Sequence, residues 1–263
     1  MKIALLTIAT NKYIQFAQPL YESVEKHFLK GHTINVFLFT NQVDPRTRQH
    51  SKEVAELLNA YPPLDPSASG KRVSLYTIEQ PHMPWPYITL KRYHIFQRIN
   101  HSEGSNAGSF RAFFDDFDYV YYSDIDMLFV DDVGEEIFGD LVATCHPGFY
   151  NKPRHLWTYE NRPASRACVA PHEGRMYFAG GFQGGSAKRY CQAMRDISRA
   201  IDDDLQRGII AVWHDESHWN RYLIDNPPDS VLSPSYCYPE SWAWLPFPRK
   251  LLALDKNHKE MRS

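Results

Sequence analysis

The sequence has few cysteines and no closely spaced pair of them. Its four cysteines, at positions 145, 168, 191 and 237, form no C-x-x-C motif, the spacing that is typical of zinc and redox sites. The N-terminal run MKIALLTIAT is short and has no small-residue cleavage pattern, so it predicts a first strand and not a secretory leader. These features predict reduced thiols and a cytoplasmic protein.

The sequence also lacks an excess of one charge and a long apolar run. Its formal net charge is −2 with acidic and basic residues interspersed, which argues against a nucleic-acid or membrane surface. No stretch approaches the roughly 20 apolar residues that span a bilayer as a helix. The glycine pairs at 180–181 and 184–185 form neither G-x-G-x-x-G nor a Walker motif. We therefore expect no nucleic-acid partner, no membrane span and no dinucleotide or P-loop site.

Hydrophobic periodicity predicts an α/β fold in a single domain. A strand at residues 3–8, an amphipathic helix at 16–28 and a strand at 34–40 form a βαβ unit, which begins a parallel sheet. A length of 263 residues suits one large domain and not two with separate functions. Further helices are predicted at 51–60, from 89, at 131–138 and at 186–207, and further strands at 73–78, 119–122, 141–145 and 209–213.

Two aspartates follow a short strand made of four consecutive apolar or aromatic residues. Asp124 and Asp126 come directly after residues 119–122, where a parallel sheet presents its ligand-binding edge. Two carboxylates there suit a divalent cation that carries phosphate oxygens. The alternative is a solvated turn, because short Asp-x-Asp motifs are frequent.

A second group of polar residues follows the apolar run at 209–213. Its carboxylates, Asp215 and Glu216, could orient a sugar, stabilise a cationic transition state or attack as a nucleophile. The alternative is a helix cap at Asp215 beside a solvated Glu216. The basic tail at 256–262 predicts either a disordered end or a lid that binds phosphate.

Seven motifs in order closely resemble one enzyme family. They are D-I-D at 124–126, H-P-G-F-Y at 146–150, T-Y-E at 158–160, G-G-F-x-G-G at 180–185, A-V-W-H-D-E-S at 211–217, L-S-P-S-Y at 232–236 and K-N-H at 256–258. The chain resembles the histo-blood-group A/B transferase and α1,3-galactosyltransferase family, glycosyltransferase family 6, from about Ile8 to Arg262.

The resemblance implies a GT-A fold: a single Rossmann-like domain with a mixed central sheet. It places a nucleotide-binding half at about 1–130 and an acceptor-binding half with a C-terminal lid at about 131–263. It implies retaining transfer of GalNAc or Gal from a UDP-sugar to the 3-hydroxyl of a galactoside, with Fucα1,2Gal as the expected acceptor.

The resemblance also implies site residues. Asp124 and Asp126 match the Mn²⁺ and diphosphate site, and Glu216 matches the catalytic carboxylate at the anomeric centre. Gly181 has no side chain to collide with a 2-acetamido group, which favours UDP-GalNAc over UDP-Gal. The implied donor-binding residues are Ile8, Thr10, Tyr13, Arg92, Asp124, Asp126, Ala179, Gly180, Gly181, Asp215, Lys256 and Arg262. The implied acceptor-binding residues are His146, Thr158, Trp213, Glu216 and Glu240.

Two departures from the family pattern bear on these expectations. The mammalian members have an acceptor-contacting aspartate after L-S-P-x-Y, whereas this chain continues Cys237 to Glu240, as in bacterial-type members, so that Glu240 is the expected substitute. Bacterial members carry Asn-x-Asn and work without metal, whereas this chain keeps both aspartates, which predicts metal dependence. Two other classes stay open: a non-catalytic sugar-binding protein and an Asp-x-Asp phosphoryl-transfer enzyme.

Overall fold

The computed structural model describes residues 1–42, 72–100, 112–257 and 260–261. The predicted helix at 51–60 and the predicted lid residue Arg262 lie outside these ranges. In chain order the described strands are β1 (Lys2–Ile8), β2 (Thr33–Thr40), β3 (Val73–Glu79), β4 (Tyr119–Ser123), β5 (Met127–Phe129), β6 (Val142–Cys145), β7 (Phe178–Ser186), β8 (Ser230–Leu232), β9 (Tyr238–Pro239) and β10 (Leu251–Ala253).

Seven of these strands form a mixed central sheet in the order β3-β2-β1-β4-β7-β6-β8. Strands β3, β2, β1 and β4 are parallel, whereas β7 runs antiparallel to both of its neighbours, β4 and β6. The start of β7 therefore lies at the same edge as the ends of β1 and β4. A separate three-stranded sheet has the order β5-β10-β9.

Helices cover both faces of the central sheet. They are α1 (Ala17–His27), α2 (Tyr87–Leu90), α3 (Arg92–Asn100), α4 (Ala187–Gln206) and α5 (His214–Asp225). Side chains of β4 alternate between the two cores: Val120 and Tyr122 pack with α3, α4 and α5, and Tyr121 packs with α1. The predicted α/β domain with a mixed sheet is confirmed.

Two local predictions were wrong, and one strand was missed. Residues 131–138 contain only the 3-10 turn Glu135–Ile137, because Val133 is held instead in a bridge to Phe28. Residues 209–213 form no strand, because backbone groups of this segment bond to Asp204 and Glu160. The glycine-rich run, for which no strand was predicted, is β7.

Close packing explains the glycines in the middle of β7. A Cβ at Gly184 would lie 2.6 Å from the carbonyl oxygen of Val120, so only glycine lets the two strands approach. The four cysteines are free thiols, as predicted. Within the described ranges, no helix combines the length and apolar character that crossing a bilayer requires.

Candidate active site

Three strand ends meet at one edge of the central sheet. The backbone N–H of Asp124, one residue past β4, donates a hydrogen bond of 2.9 Å to the carbonyl oxygen of Gly181 in β7. The antiparallel register explains this contact, since Ser123 pairs with Phe182. Asp124 of the D-I-D motif and Gly181 of the glycine pair, 57 positions apart in the sequence, therefore become direct neighbours.

A cavity of about 300 Å³ opens at this edge, a size at the lower end of the range for small-molecule sites. It brings together most of the predicted donor-binding residues with two predicted acceptor residues. The predicted residues that line it are Ile8, Thr10, Tyr13, Arg92, Asp124, Asp126, Gly180, Gly181, Trp213, Asp215, Glu216 and Lys256.

Arg92 is the central cation of the site. Its Nε lies 2.8 Å from Oδ2 of Asp215, and its Nη1 lies 3.4 Å from Oδ1 of Asp124. Nη1 also donates to the carbonyl oxygen of Gly180 at 3.0 Å. Burial is the largest single effect and opposes the charge on the guanidinium, but Asp215, Tyr122, Asp124 and Tyr93 together outweigh it and the pKa of Arg92 is raised. Arg92 stands at the start of α3, where the helix dipole is unfavourable for a positive charge. The carboxylates of Asp124 and Asp215 stabilise that charge.

Asp215 and Glu216 lie in the first turn of α5 and not at the end of a strand. Burial raises the pKa of Asp215 to about 7, against the opposing effect of Arg92. Burial also raises the pKa of Glu216 to about 7. Two hydrogen bonds to its carboxylate work in the opposite direction, because they stabilise the ionised form.

Glu216 is held by one backbone group and one tyrosine. Oε2 accepts a hydrogen bond of 2.8 Å from the N–H of Gly180, and Oε1 accepts one of 3.0 Å from the hydroxyl of Tyr177. The carbonyl of the same Gly180 accepts from the buried amide of Gln183 at 3.1 Å as well as from Arg92. The carbonyl group of Gly180 is therefore held by two side chains, and the N–H group of the same residue holds the carboxylate of Glu216.

The two aspartates of D-I-D have different surroundings. Asp124 accepts a hydrogen bond from the hydroxyl of Tyr122, and its side chain is 36% exposed toward the cavity. Asp126 is only 5% exposed, and its Oδ2 forms an ion pair with the ammonium of Lys256. Both carboxylates therefore attract cations at the cavity wall.

These aspartates suit a cation that arrives with its substrate. Across the described ranges, no group of three or more His, Cys, Asp or Glu side chains could hold a metal on its own. A hard divalent ion commonly binds through one or two carboxylates together with substrate phosphates and water. Asp124 and Asp126 fit that requirement, with the remaining ligands left to a diphosphate.

Four predicted site residues lie outside the cavity lining. Ala179 is buried in β7, and Thr158 is exposed and accepts a hydrogen bond of 2.8 Å from Nε1 of Trp213. The ring of His146 packs on Tyr177 with a centroid distance of 5.6 Å. Glu240 is exposed, and its carboxylate accepts from the N–H of Asp255 at 2.9 Å, so it faces the segment after β10.

Sequence reasoning missed several residues of the site. Tyr177 bonds Glu216, Tyr122 bonds Asp124, and Gln183 bonds Gly180, yet none of them belongs to a recognised catalytic pattern. The contact of Tyr177 with Glu216 joins residues 39 positions apart, whereas the other two pairs are local, and a single sequence shows neither the fold that makes the first nor the side-chain orientation that makes the others. His82 and Trp85 also line the cavity, from the proline-rich turn before α2.

Comparison with known proteins agrees with this geometry. The family described as Glycosyltransferase family 6 matches residues 1–263, the whole chain. The chain belongs to glycosyltransferase family 6. A member of this family takes a nucleotide-sugar donor and a glycan acceptor, and the cavity carries both cationic and carboxylate groups.

Several family 6 relatives are similar over most of this chain. Histo-blood group ABO system transferase 1 of Rattus norvegicus is 34% identical over 264 residues, which cover 99% of this chain and 68% of the relative. Globoside alpha-1,3-N-acetylgalactosaminyltransferase 1 of Canis lupus familiaris is 34% identical over 243 residues, 90% of this chain and 61% of the relative. Alpha-1,3-galactosyltransferase 2 of Homo sapiens is 26% identical over 239 residues, 90% of this chain and 63% of the relative.

Proposed function

We propose that this family 6 glycosyltransferase is a retaining α1,3-hexosyltransferase. It moves GalNAc, in preference to Gal, from a UDP-sugar to the 3-hydroxyl of a galactoside, with Fucα1,2Gal as the acceptor terminus. The observation that carries the proposal is the presence in one cavity of Glu216, the Arg92–Asp215 ion pair and both aspartates of D-I-D. A sugar-binding protein without activity has no need for this set of buried charges.

The donor end of the cavity suits a diphosphate. Arg92 and Lys256 supply positive charge beside Asp124 and Asp126. Cleavage of the bond between the sugar and UDP leaves negative charge on the diphosphate, which fixed cations stabilise without reorganisation. Asp124 and Asp126 would hold Mn²⁺, which supplies further charge stabilisation to the leaving diphosphate when it is bound. Arg262 is the second lid cation that the family pattern implies.

Glu216 supplies the carboxylate at the anomeric carbon. Two routes agree with retention: the carboxylate attacks and is then displaced by the acceptor hydroxyl, or it stabilises a cationic transition state. Both routes require the ionised form, and both hydrogen bonds to Glu216 donate to that form. Asp215, held by Arg92 at 2.8 Å, adds a second carboxylate for the donor sugar.

The preference for GalNAc rests on Gly181. A residue without a side chain at this wall leaves room for a 2-acetamido group. One relative is named for transfer of N-acetylgalactosamine and another for transfer of galactose, so both donors belong in the test. The fucosylated acceptor follows from the A/B-type pattern of motifs.

The test pairs two donors with two acceptors. UDP-GalNAc and UDP-Gal are each incubated with 2-fucosylated lactose and with lactose, in Mn²⁺, and both UDP release and product mass are measured. We expect the highest kcat/KM for UDP-GalNAc with the fucosylated acceptor, and no product from Glu216→Gln. Binding of UDP without any UDP release would indicate a non-catalytic sugar-binding protein. A clear advantage for UDP-Gal would overturn the role given to Gly181.

A further inference from the structure

The segment that follows L-S-P-S-Y carries two stacked tryptophans. The ring centroids of Trp242 and Trp244 lie 4.9 Å apart, and the ring planes differ by 26°. Trp244 is 59% exposed, which makes it the most exposed large apolar side chain in the described part of the chain. An indole in this position gives up the free energy that burial would provide. The pair forms a flat apolar surface that faces water.

The backbone under this surface is firmly anchored. The N–H of Trp242 donates to the carbonyl oxygen of Pro239 at 3.1 Å, and Nη2 of Arg249 donates to the carbonyl oxygen of Trp242 at 2.8 Å. The guanidinium of Arg249 also lies 5.0 Å from the ring centroid of Tyr238. A ring that is held in place before binding loses little conformational entropy when a ligand stacks on it.

Contacts connect this surface to the reacting carboxylate. Trp242 lies next to Gly148: a Cβ at that glycine would be 4.0 Å from Cη2 of Trp242 and 3.1 Å from Cε1 of His146. His146 packs on Tyr177, and the Tyr177 hydroxyl donates to Glu216. Trp242 is therefore connected to Glu216 through a chain of contacts that runs over Gly148, His146 and Tyr177.

We propose that Trp242 and Trp244 form an acceptor subsite for the sugar on the reducing-end side of the acceptor galactose. The proposal rests on the proposed function and deepens it, because it names the acceptor as an oligosaccharide with at least one further hexose. A hexose presents a face of C–H groups that packs on an aromatic ring, while its hydroxyls stay in water. The tryptophans, and not Glu240, are then the acceptor contact of this segment, since the carboxylate of Glu240 bonds to Asp255.

The test compares two acceptors that differ by one hexose. The acceptors are the methyl glycoside of Fucα1,2Gal and 2-fucosylated lactose, with the preferred donor at saturation. For the wild type we expect a KM for the longer acceptor that is lower by about tenfold, the effect of one aromatic contact. Trp244→Ala should remove this difference and leave kcat and the KM of the shorter acceptor unchanged. Trp244→Phe should keep most of it.

Two controls address folding and nonspecific effects. Val231→Ala removes another exposed apolar side chain, 45% exposed in β8, and should leave both KM values unchanged. Thermal unfolding of each variant checks the fold. If Trp242→Ala lowers the melting temperature, the conclusion rests on Trp244, whose side chain is mostly in water.

Three results would overturn the subsite. The first is that the wild type shows equal KM values for the two acceptors. The second is that Trp244→Ala changes both KM values equally. The third is that the only effect of Trp244→Ala is loss of the preference for fucosylated over plain lactose. The last result would assign the tryptophans to fucose. Absence of transfer to either acceptor by the wild type would instead contradict the proposed function, and calorimetric binding of the same two acceptors would then test the subsite directly.

Discussion

The hydroxyl of Tyr177 donates a hydrogen bond of 3.0 Å to Oε1 of Glu216. This bond stabilises the carboxylate and lowers its pKa, whereas burial raises the pKa to about 7. Burial also raises the pKa of the neighbouring Asp215 to about 7. The apparent pKa values measured for the site therefore belong to the pair.

The pH dependence of transfer follows from this balance. If the ionised Glu216 is required, kcat/KM rises with pH through about 7, and at pH 6 it falls to about a tenth of its plateau. Tyr177→Phe removes a bond that lowers the pKa, so the rising limb moves to higher pH. UDP release measured from pH 5 to 9 checks both expectations.

A matched tyrosine provides the control for this experiment. The hydroxyl of Tyr159 donates to the carbonyl oxygen of Met176 and not to a carboxylate. Tyr159→Phe should therefore leave the limb in place. A limb that does not move in Tyr177→Phe would show that Glu216 does not control the rate.

Removal of divalent metal should abolish transfer. Cleavage of the donor leaves charge on the diphosphate, and Asp124 and Asp126 are the carboxylates that would hold the neutralising ion. Excess EDTA should stop transfer and Mn²⁺ should restore it, and calorimetry should show tighter UDP binding in Mn²⁺ than in EDTA. The double variant Asp124→Asn, Asp126→Asn should lose the effect of Mn²⁺ on UDP binding.

A second aspartate pair controls for the loss of two charges. Asp131 and Asp132 are exposed on the surface after β5, and Asp131→Asn with Asp132→Asn should keep the full response to Mn²⁺. Equal transfer by the wild type in Mn²⁺ and in EDTA would contradict the metal assignment.

Gly181→Ala tests the donor preference. The added methyl should lower kcat/KM for UDP-GalNAc by about tenfold or more, and for UDP-Gal by less, because only GalNAc carries the acetamido group. Protein contacts complicate this test, since a Cβ at Gly181 would also lie 3.2 Å from Sγ of Cys237 and 3.3 Å from Oδ2 of Asp124.

Cys237→Ala in the Gly181→Ala background separates the two effects. Removal of the sulfur relieves the closer of the two contacts within the protein, and it leaves the contact with Asp124, which acts on both donors, and the contact with the donor sugar. If kcat/KM recovers with UDP-Gal but not with UDP-GalNAc, the remaining defect is due to the acetamido group. Recovery with both donors would show that Gly181 is needed for packing against the protein.

Glu160→Gln should destabilise the fold in a pH-dependent way. Glu160 is 2% exposed, and its carboxylate accepts hydrogen bonds from Arg162 and from the N–H of Val212. The bonds from Arg162 lower its pKa from 4.5 to about 2. A lowered pKa gives stability that is complete above about pH 4.5 and is lost as the pH falls to about 2.

Urea unfolding at several pH values measures this contribution. At pH 7 the variant should lose about 2 kcal/mol, less than the full shift implies because Arg162 is half exposed and water screens it. The difference from the wild type should shrink below pH 4.5. The exposed Glu22→Gln should cost little, and a constant difference at all pH values would contradict the role of ionised Glu160.

The sequence predicted the parts of the site that depend on local pattern. Asp124 and Asp126 follow a strand that its apolar run makes recognisable, and the βαβ start of the sheet is local too. The strand β7 was missed because glycine weakens strands, and here packing against Val120 overrides that tendency. The partner of Arg92 is 123 residues away along the chain, so no local pattern could reveal the ion pair with Asp215.

Gly180 and Gly181 lie within an interior strand and not in a loop. Strand β7 is hydrogen-bonded to β4 on one side and β6 on the other, and it leads directly into α4. Gly180 and Gly181 lie where the pairing of β7 with β6 shifts register, between the Thr144–Ala179 and Ala143–Gln183 pairs. Their carbonyl oxygens accept hydrogen bonds from Arg92 and from the N–H of Asp124, so an insertion or deletion here would displace both partners. The sugar choice that we propose for Gly181 is therefore open to the exchange of one residue for another at fixed length and closed to loop remodelling.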